Sequence, residues 1–202
     1  MAHPDSSQLK GLLESARSVC LLLPQNPHYD VVASGLALKL TLDSIGKSAS
    51  VVCPDPITVE FNRLVGIDTI RDTLGSRHLI ITFPDQTEHV DKVSYNLEKG
   101  QLQLVITPKA SAPDLDYRRL KFIPGQASAD LLITVGVQEL SQLGSVYTSA
   151  ADTFTSTRLV SLTHDVPRQS FAHHHLYDPE VSSLSELITQ LIDSLGLTFH
   201  PD

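Results

Sequence analysis

The clearest structural signal in the chain runs from residue 18 to residue 56, which read SVCLLLPQNPHYDVVASGLALKLTLDSIGKSASVVCPDP. Val19 to Leu23 is an all-apolar run, which is typical of a strand in a buried parallel sheet. Ser34 to Ile45 predicts a helix, because leucines recur along it and Gly46 is a favourable stop signal. Ala49 to Cys53 predicts a second strand. A strand, a helix and a strand with such short links indicate a right-handed βαβ unit.

The same alternation returns in the second half of the chain, after a stretch of different character. Strand-like runs separated by turn residues fall within residues 70–120 and predict an antiparallel β insertion. Beyond it, the pattern predicts a strand, a short helix, a strand and a final helix at Leu131–Val137, Gln138–Leu143, Arg158–Leu162 and Ser182–Ser194. We expect a single α/β domain over residues 1–202, with a mostly parallel sheet, helices on both faces and this insertion.

Composition and charge narrow the classes of function. Aromatic residues make up 5% of the 202 residues and there is no Trp, so the core must be aliphatic. The formal net charge is −8 and the sequence has no cluster of Lys and Arg. Binding to duplex nucleic acid requires several phosphates to be neutralised by cations, and we therefore do not expect it. The same argument does not exclude the binding of a small nucleotide in a cleft, since such a ligand needs only a few hydrogen-bond donors.

The sequence also predicts where the protein resides. No apolar run approaches the roughly 20 residues that a membrane span requires. The first residues lack the positive and then apolar segments of a signal peptide. Cys20 and Cys53 lie in apolar runs, which favours two buried, reduced thiols. We expect a cytoplasmic protein without membrane association.

The turn after the first strand carries the first candidate site. In a doubly wound sheet, ligands bind at the carboxyl ends of the strands. His28 and Asp30 are candidate metal ligands there, and Ser34 lies where a predicted helix N-terminus could hold an anion. The alternative is that Asp30 and Ser34 only cap the helix.

Three blocks of sequence occur in an order that is shared with a known superfamily. They are Asn26-Pro27 with Asp30, Ser34, Gly46-Lys47 and Cys53-Pro54-Asp55-Pro56; then Asp130 to Gly136 with Leu140 and Leu143-Gly144; then Leu162 to Asp165 with Phe171, Asp178-Pro179, Ser182-Ser183 and Glu186-Leu187. In this respect the chain resembles the DHH phosphoesterases, the superfamily of RecJ-like exonucleases and small oligoribonuclease/phosphatases. The resemblance implies a DHH-type α/β domain and covers most of the chain outside the insertion.

The departures from the family pattern fall on the metal ligands. The resemblance implies two divalent cations, usually manganese, held by His and Asp side chains. Pro24 stands where the first motif has His, His28 where it has the first Asp, and Gly136 where the second motif has Asp. The Asp-His-His signature is replaced by Thr163-His164-Asp165. The sequence ends at Asp202, before a fourth motif and the family's C-terminal substrate-binding domain, so we expect either a truncation or a partner that supplies that domain.

These departures lead to an expectation about chemistry. A two-metal site needs bridging carboxylates, and only His28, Asp30, His164 and Asp165 are left as weak metal candidates, with His164 and Asp165 as vestigial catalytic residues. We expect no cofactor, and Mn²⁺ or Mg²⁺ only if a residual site functions. His173, His174 and His175 favour a solvated polar stretch, although His173 and His175 could share one metal if the stretch is a strand.

Three functional readings follow. The first is an inactive DHH-like domain that binds a nucleotide through Asn26, Asp30 and Ser34, or that serves protein assembly, including as a homodimer. The alternative is a divergent metal-dependent phosphoesterase acting on short oligonucleotides, phosphorylated adenosine or cyclic dinucleotides. The third is an unrelated α/β interaction domain.

Overall fold

The fold is described from a computed structural model, which covers residues 6–57, 61–84, 87–98, 100–126 and 129–198. The chain divides into two compact units, one formed by Met1–Leu74 with Ala127–Asp202 and the other by Gly75–Gln126. The first unit contains α1 (Ser7–Ser15), β1 (Ser18–Leu22), α2 (Tyr29–Ser44), β2 (Ser48–Val52), β7 (Leu131–Val135), α3 (Gly144–Ser149), α4 (Ala151–Ser156), β8 (Arg158–Thr163), β9 (His174–Tyr177) and α5 (Leu184–Ser194). The second contains β3 (Gly75–Thr82), β4 (Val90–Glu98), β5 (Gln101–Pro108) and β6 (Lys121–Gln126). Short 3-10 helices lie at Ile67–Thr69, Thr87–His89, Tyr117–Arg119 and Leu140–Leu143.

The first unit is built on a five-stranded sheet in the order β2-β1-β7-β8-β9. Every neighbouring pair is parallel. The strand order reverses between β1 and β7, because the chain passes from β1 outward to β2 and then returns to the other side of β1. This is the topological switch point, at which doubly wound α/β proteins bind their ligands.

Helices cover both faces of this sheet. On one face, α1, α2 and α5 bury a continuous apolar cluster that includes Leu13, Leu36 and Ile188. On the other face, Val146 of α3 and Phe154 of α4 pack in a second cluster with residues of β1, β7 and β8. The predicted class, a mostly parallel α/β sheet with helices on both faces and an antiparallel insertion, is confirmed.

A carboxylate joins two strands at the amino end of this sheet, and two thiols are buried in its interior. The Asp130 carboxylate accepts hydrogen bonds from the backbone N–H groups of Arg17 and Ser18, both at 2.9 Å, and from the Ser18 hydroxyl at 3.0 Å. These bonds join the start of β1 to the start of β7, and they hold the pKa of Asp130 below its usual value. Cys20 and Cys53 are free and buried, and burial raises the pKa of the Cys20 thiol to about 11.

The second unit consists of two antiparallel pairs. β3 pairs with β6, and β4 pairs with β5 as a hairpin. The predicted insertion ends at residue 120 and therefore omits β6. The sequence did not predict this strand, because Pro124 and Gly125 are both unfavourable in strands. A strand with one hydrogen-bonded neighbour tolerates a proline, since one side of its backbone needs no partner in the ladder.

Three elements of the first unit differ from the sequence prediction. α2 begins at Tyr29 rather than at Ser34. The helix predicted over Gln138–Leu143 is the 3-10 helix Leu140–Leu143, which leads directly into α3. α4 has no counterpart in the prediction, because its run of small and polar residues lacks an apolar period. In the part of the chain that the structure describes, no helix is both long and apolar enough to cross a membrane.

The triple-histidine stretch is part of the sheet. β9 pairs in parallel with β8, and His174 and His175 lie within it. His173 Nδ1 accepts a hydrogen bond from the Leu159 N–H at 3.1 Å, and His175 Nε2 accepts one from the Ala172 N–H at 3.2 Å. The His175 ring also packs edge-on against Phe171 at 5.1 Å between centroids, and burial lowers the pKa of His175. Two of the three imidazoles therefore bind the backbone, which differs from the solvated stretch that the sequence favours.

Candidate functional site

The candidate site is the carboxyl end of β1, β7 and β8, which surrounds the switch point. The loop after β1 carries Asn26 and His28, the loop after β7 carries Gly136 and Gln138, and His164 and Asp165 follow β8. Parallel strands bring these loops to one edge of the sheet. Each predicted residue is described below by what its atoms contact.

The loop after β1 is held by its neighbours on both sides. The Gln25 N–H donates to the Gln142 carbonyl at 2.7 Å, and the Asn26 N–H donates to the Asp55 carboxylate at 2.7 Å. Asn26 adopts a left-handed conformation with φ 46°, which Asn tolerates better than most residues. The backbone donor of Asn26 is thus used within the protein. His28 occupies the N-cap position of α2 and is exposed, with no hydrogen bond from its side chain to the cap.

Asp30 makes the longest-range polar contact of the site. It lies in the first turn of α2, and its two carboxylate oxygens accept hydrogen bonds from the N–H groups of Leu184 at 2.8 Å and Ser185 at 3.1 Å. These are the first two residues of α5, whose N–H groups have no partner within their own helix. Asp30 therefore caps a helix other than its own. The negative carboxylate also faces the positive end of the α5 dipole.

α5 has a second cap of its own. The Ser183 hydroxyl accepts from the Glu186 N–H at 3.2 Å, and the Glu186 carboxylate accepts from the N–H and hydroxyl of Ser182 at 2.9 and 2.8 Å. These two bonds hold the pKa of Glu186 below its usual value. Glu186 thus binds Ser182 rather than the N-cap Ser183, so the arrangement differs by one residue from a standard capping box.

Gly136 lies where α2, α5 and the end of β7 meet. Its φ of 71° is left-handed, and a Cβ placed on it would lie 2.9 Å from Val31 Cγ2 and 3.2 Å from Leu184 Cδ2. We call the group Asp30, Val31, Gly136, Leu184 and Ser185 the α2–α5 junction. The position that carries Asp in the family motif is thus closed to any side chain by apolar packing.

Ser34 lies inside α2 rather than at its N-terminus. Its side chain is 1% exposed, and its hydroxyl has no hydrogen-bond partner among the described residues. The earlier start of α2 moves the helix N-terminus one turn and a half away from Ser34. A role for Ser34 in anion binding stays a prediction.

His164 and Asp165 follow β8, and Asp165 is exposed while His164 is half-buried. The Gln138 side-chain amide donates to Asp165 at 3.1 Å and to the Thr163 hydroxyl at 3.3 Å. His164 Nε2 lies 3.8 Å from the Asp165 carboxylate. Gln138 was missed from the sequence, although its position two residues after Gly136, at a strand's carboxyl end, is a signal that could have indicated it.

The predicted ligands are not gathered into one metal-binding group. Across residues 6–57, 61–84, 87–98, 100–126 and 129–198, no three His, Cys, Asp or Glu side chains lie together in a way that could hold a metal. His28, Asp30, His164 and Asp165 all lie within those ranges. In the structure His164 lies beside Asp165, whereas the Asp30 carboxylate binds the first N–H groups of α5.

The parallel sheet with helices on both faces defines the class of the protein as α/β, and the edge described above is its candidate site. No family model matches the sequence. The chain is similar in structure to an exopolyphosphatase-related protein from Bacteroides fragilis, with a TM-score of 0.60 and 16% sequence identity. The match covers 94% of this chain and 43% of that chain, so this sequence spans less than half the length of the neighbour. The similarity shows that the two proteins share an α/β fold.

Proposed function

We propose that this DHH-like domain does not hydrolyse phosphoesters and acts as a non-catalytic module in protein assembly. The observation that carries the proposal is the bonding of Asp30. It is the one carboxylate retained from the first motif, and both of its oxygens accept N–H groups of α5. These two bonds hold the carboxylate against the start of α5 and leave it one lone pair on each oxygen for any other partner.

The other motif positions support the same conclusion. Pro24 has no donor atom in its side chain, and Gly136 has no space for one, because Val31 and Leu184 fill it. The two-metal centre that the family resemblance implies would need a His at the first of these positions and an Asp at the second. The residues present do not fit such a centre, and we derive no step through a metal.

The two binding roles are not equally supported. A nucleotide phosphate would require free donors at the switch point, but the Asn26 N–H binds Asp55 and the Ser34 hydroxyl is buried. Gln25 of the same loop donates to Gln142. These contacts favour assembly over nucleotide binding as the role of the domain.

One observation favours the alternative of a divergent phosphoesterase. Asp165 is exposed beside His164 and Gln138, so this corner could still contact a substrate. The structural neighbour is named as related to exopolyphosphatases, so polyphosphate is a further candidate substrate for this alternative.

The test is a hydrolysis assay on the purified chain with Mn²⁺ or Mg²⁺. The substrates are a dinucleotide, a cyclic dinucleotide, phosphorylated adenosine and polyphosphate. We expect product release no faster than in buffer alone. Turnover that disappears in an Asp165→Asn variant, shown by circular dichroism to be folded, would contradict the proposal and establish the alternative.

A further inference from the structure

The β4–β5 hairpin has a regular antiparallel register over most of its length. Val93 lies opposite Ile106, Tyr95 opposite Leu104, and Leu97 opposite Leu102. Side chains of opposed residues point to the same side of a sheet, and successive residues alternate between sides. These six side chains therefore lie on one side of the hairpin, which we call the apolar face.

The apolar face is open to solvent. Tyr95 is 67% exposed and Leu97 is 73% exposed, while Leu104 on the partner strand is 49% exposed. Val93 and Leu102 are also exposed, and Ile106 is half-buried. None of the six side chains carries a charge at neutral pH.

The opposite side of the hairpin is polar. Its opposed pairs include Lys92 with Thr107, Asn96 with Gln103 and Glu98 with Gln101, and Val105 is its one large aliphatic residue. This alternation is that of a sheet with one buried face and one solvated face. A two-stranded hairpin by itself is only marginally stable in water, and an exposed apolar patch of this kind marks an interaction site.

The area of the apolar face matches what a dimer requires. Six such side chains, each exposing on the order of 100 Å², present roughly 600 Å² per copy. Two faces stacked on each other would bury about 1,200 Å², which is the lower limit for a specific protein–protein interface. Two copies of one hairpin can stack at the spacing of about 10 Å that packed sheets adopt.

Charge also favours a second copy of this chain as the occupant. Residues 75–126 contain seven basic and six acidic residues, which gives this segment a net charge of +1. The remainder of the chain has a net charge of −9, so the whole chain has −8. Contact between two copies through the near-neutral segment avoids the repulsion that contact between the acidic segments would cause. Stacking the apolar face on itself buries no charge, so no desolvation of ions opposes it.

We propose that two copies of this chain form a homodimer by stacking the apolar faces of their β4–β5 hairpins. The same patch meets itself across a two-fold axis, as in most homodimers. The inference deepens the proposed function, because it names the partner and the surface through which the module assembles.

The test is the mass of the full chain in solution, measured by light scattering after gel filtration at tens of micromolar. The monomer mass is 22.1 kDa, and we expect the wild type at twice that value, with a dissociation constant in the micromolar range that such an area allows. Leu104→Glu places a charge in each copy of the stacked face and should weaken the dimer at least about a hundredfold, because both charges would be buried unpaired. Val105→Glu is the matched control. It adds the same residue one position further along the same strand, at a side chain that is 43% exposed on the polar side, and should leave the dimer unchanged.

Any of three results would overturn the inference. They are a wild-type monomer at this concentration, equal effects of the two variants, and oligomers that grow beyond two copies, which would indicate pairing of strand edges instead. The first result is measured on the wild type, so the inference can be refuted even if a variant fails to fold. Failure of the proposed function gives a different signature, since hydrolysis by a dimeric protein would refute inactivity and leave the interface standing.

Discussion

Asp30→Ala is expected to lower the free energy of unfolding by about 2–3 kcal/mol, because hydrogen bonds to a charged acceptor contribute that much and their donors would be left unpaired. The two lost bonds come from Leu184 and Ser185, the first residues of α5. α5 packs directly against α2, so the loss loosens two helices rather than a loop. Urea unfolding at neutral pH, followed by circular dichroism, measures the change.

Ser183→Ala is the matched control for this prediction. It removes the local cap of the same helix, the 3.2 Å bond from the Glu186 N–H, together with a 3.1 Å hydrogen bond between the Ser183 and Ser185 hydroxyls. It should cost about 1 kcal/mol, the usual value for an N-cap. If Asp30→Ala cost no more than Ser183→Ala, the bond from α2 to α5 would not be a stabilising element. If Asp30→Ala left stability unchanged but removed metal binding, Asp30 would be a ligand.

Gly136→Ala is expected to lower the free energy of unfolding by about 2–5 kcal/mol. A left-handed conformation costs a non-glycine residue roughly 1–2 kcal/mol, and overpacking in a well-filled core adds typically 1–3 kcal/mol. The new Cβ would lie 2.9 Å from Val31, which is too close without movement of α2. An Asp at this position, as in the family motif, would meet the same obstacle from its own Cβ.

Gly196→Ala separates the two contributions. Gly196 has a φ of 70°, almost equal to the 71° of Gly136, but a Cβ there meets no atom within 4 Å among the described residues. We expect Gly196→Ala to cost only about 1–2 kcal/mol, the backbone contribution alone. Equal losses in the two variants would show that packing does not close the Gly136 position, and the motif could then be restored by substitution.

The sequence predicted the central strands because their character is local. The apolar runs of β1 and β7 are short and rich in Val, Ile and Leu, which favours buried strands. The amphipathic pattern of α5, with Ser183 and Glu186 at its start, indicates a helix. The start of α2 was misplaced because Ser34 is a favourable N-cap residue in sequence. The structure instead starts the helix at Tyr29 and uses Asp30 in its first turn for another element.

The site was only partly predictable for a related reason. Asp30 and Gly136 could be recognised as the retained and the lost motif positions, but their roles depend on Leu184, which is 154 residues from Asp30 in the chain. No local pattern encodes such a contact. The apolar face of the hairpin is encoded in the alternation of residues 93–106, but its exposure is a property of the folded structure that this alternation does not predict.

The central claim, that the switch-point site no longer holds catalytic metal, is tested most directly by calorimetric titration of the wild-type chain with Mn²⁺. The account predicts no binding tighter than about millimolar and no change when Asp165, an exposed candidate ligand, is replaced by Asn. Micromolar binding at one site per chain, lost in Asp165→Asn with the fold intact, would contradict the account and indicate a rebuilt metal centre.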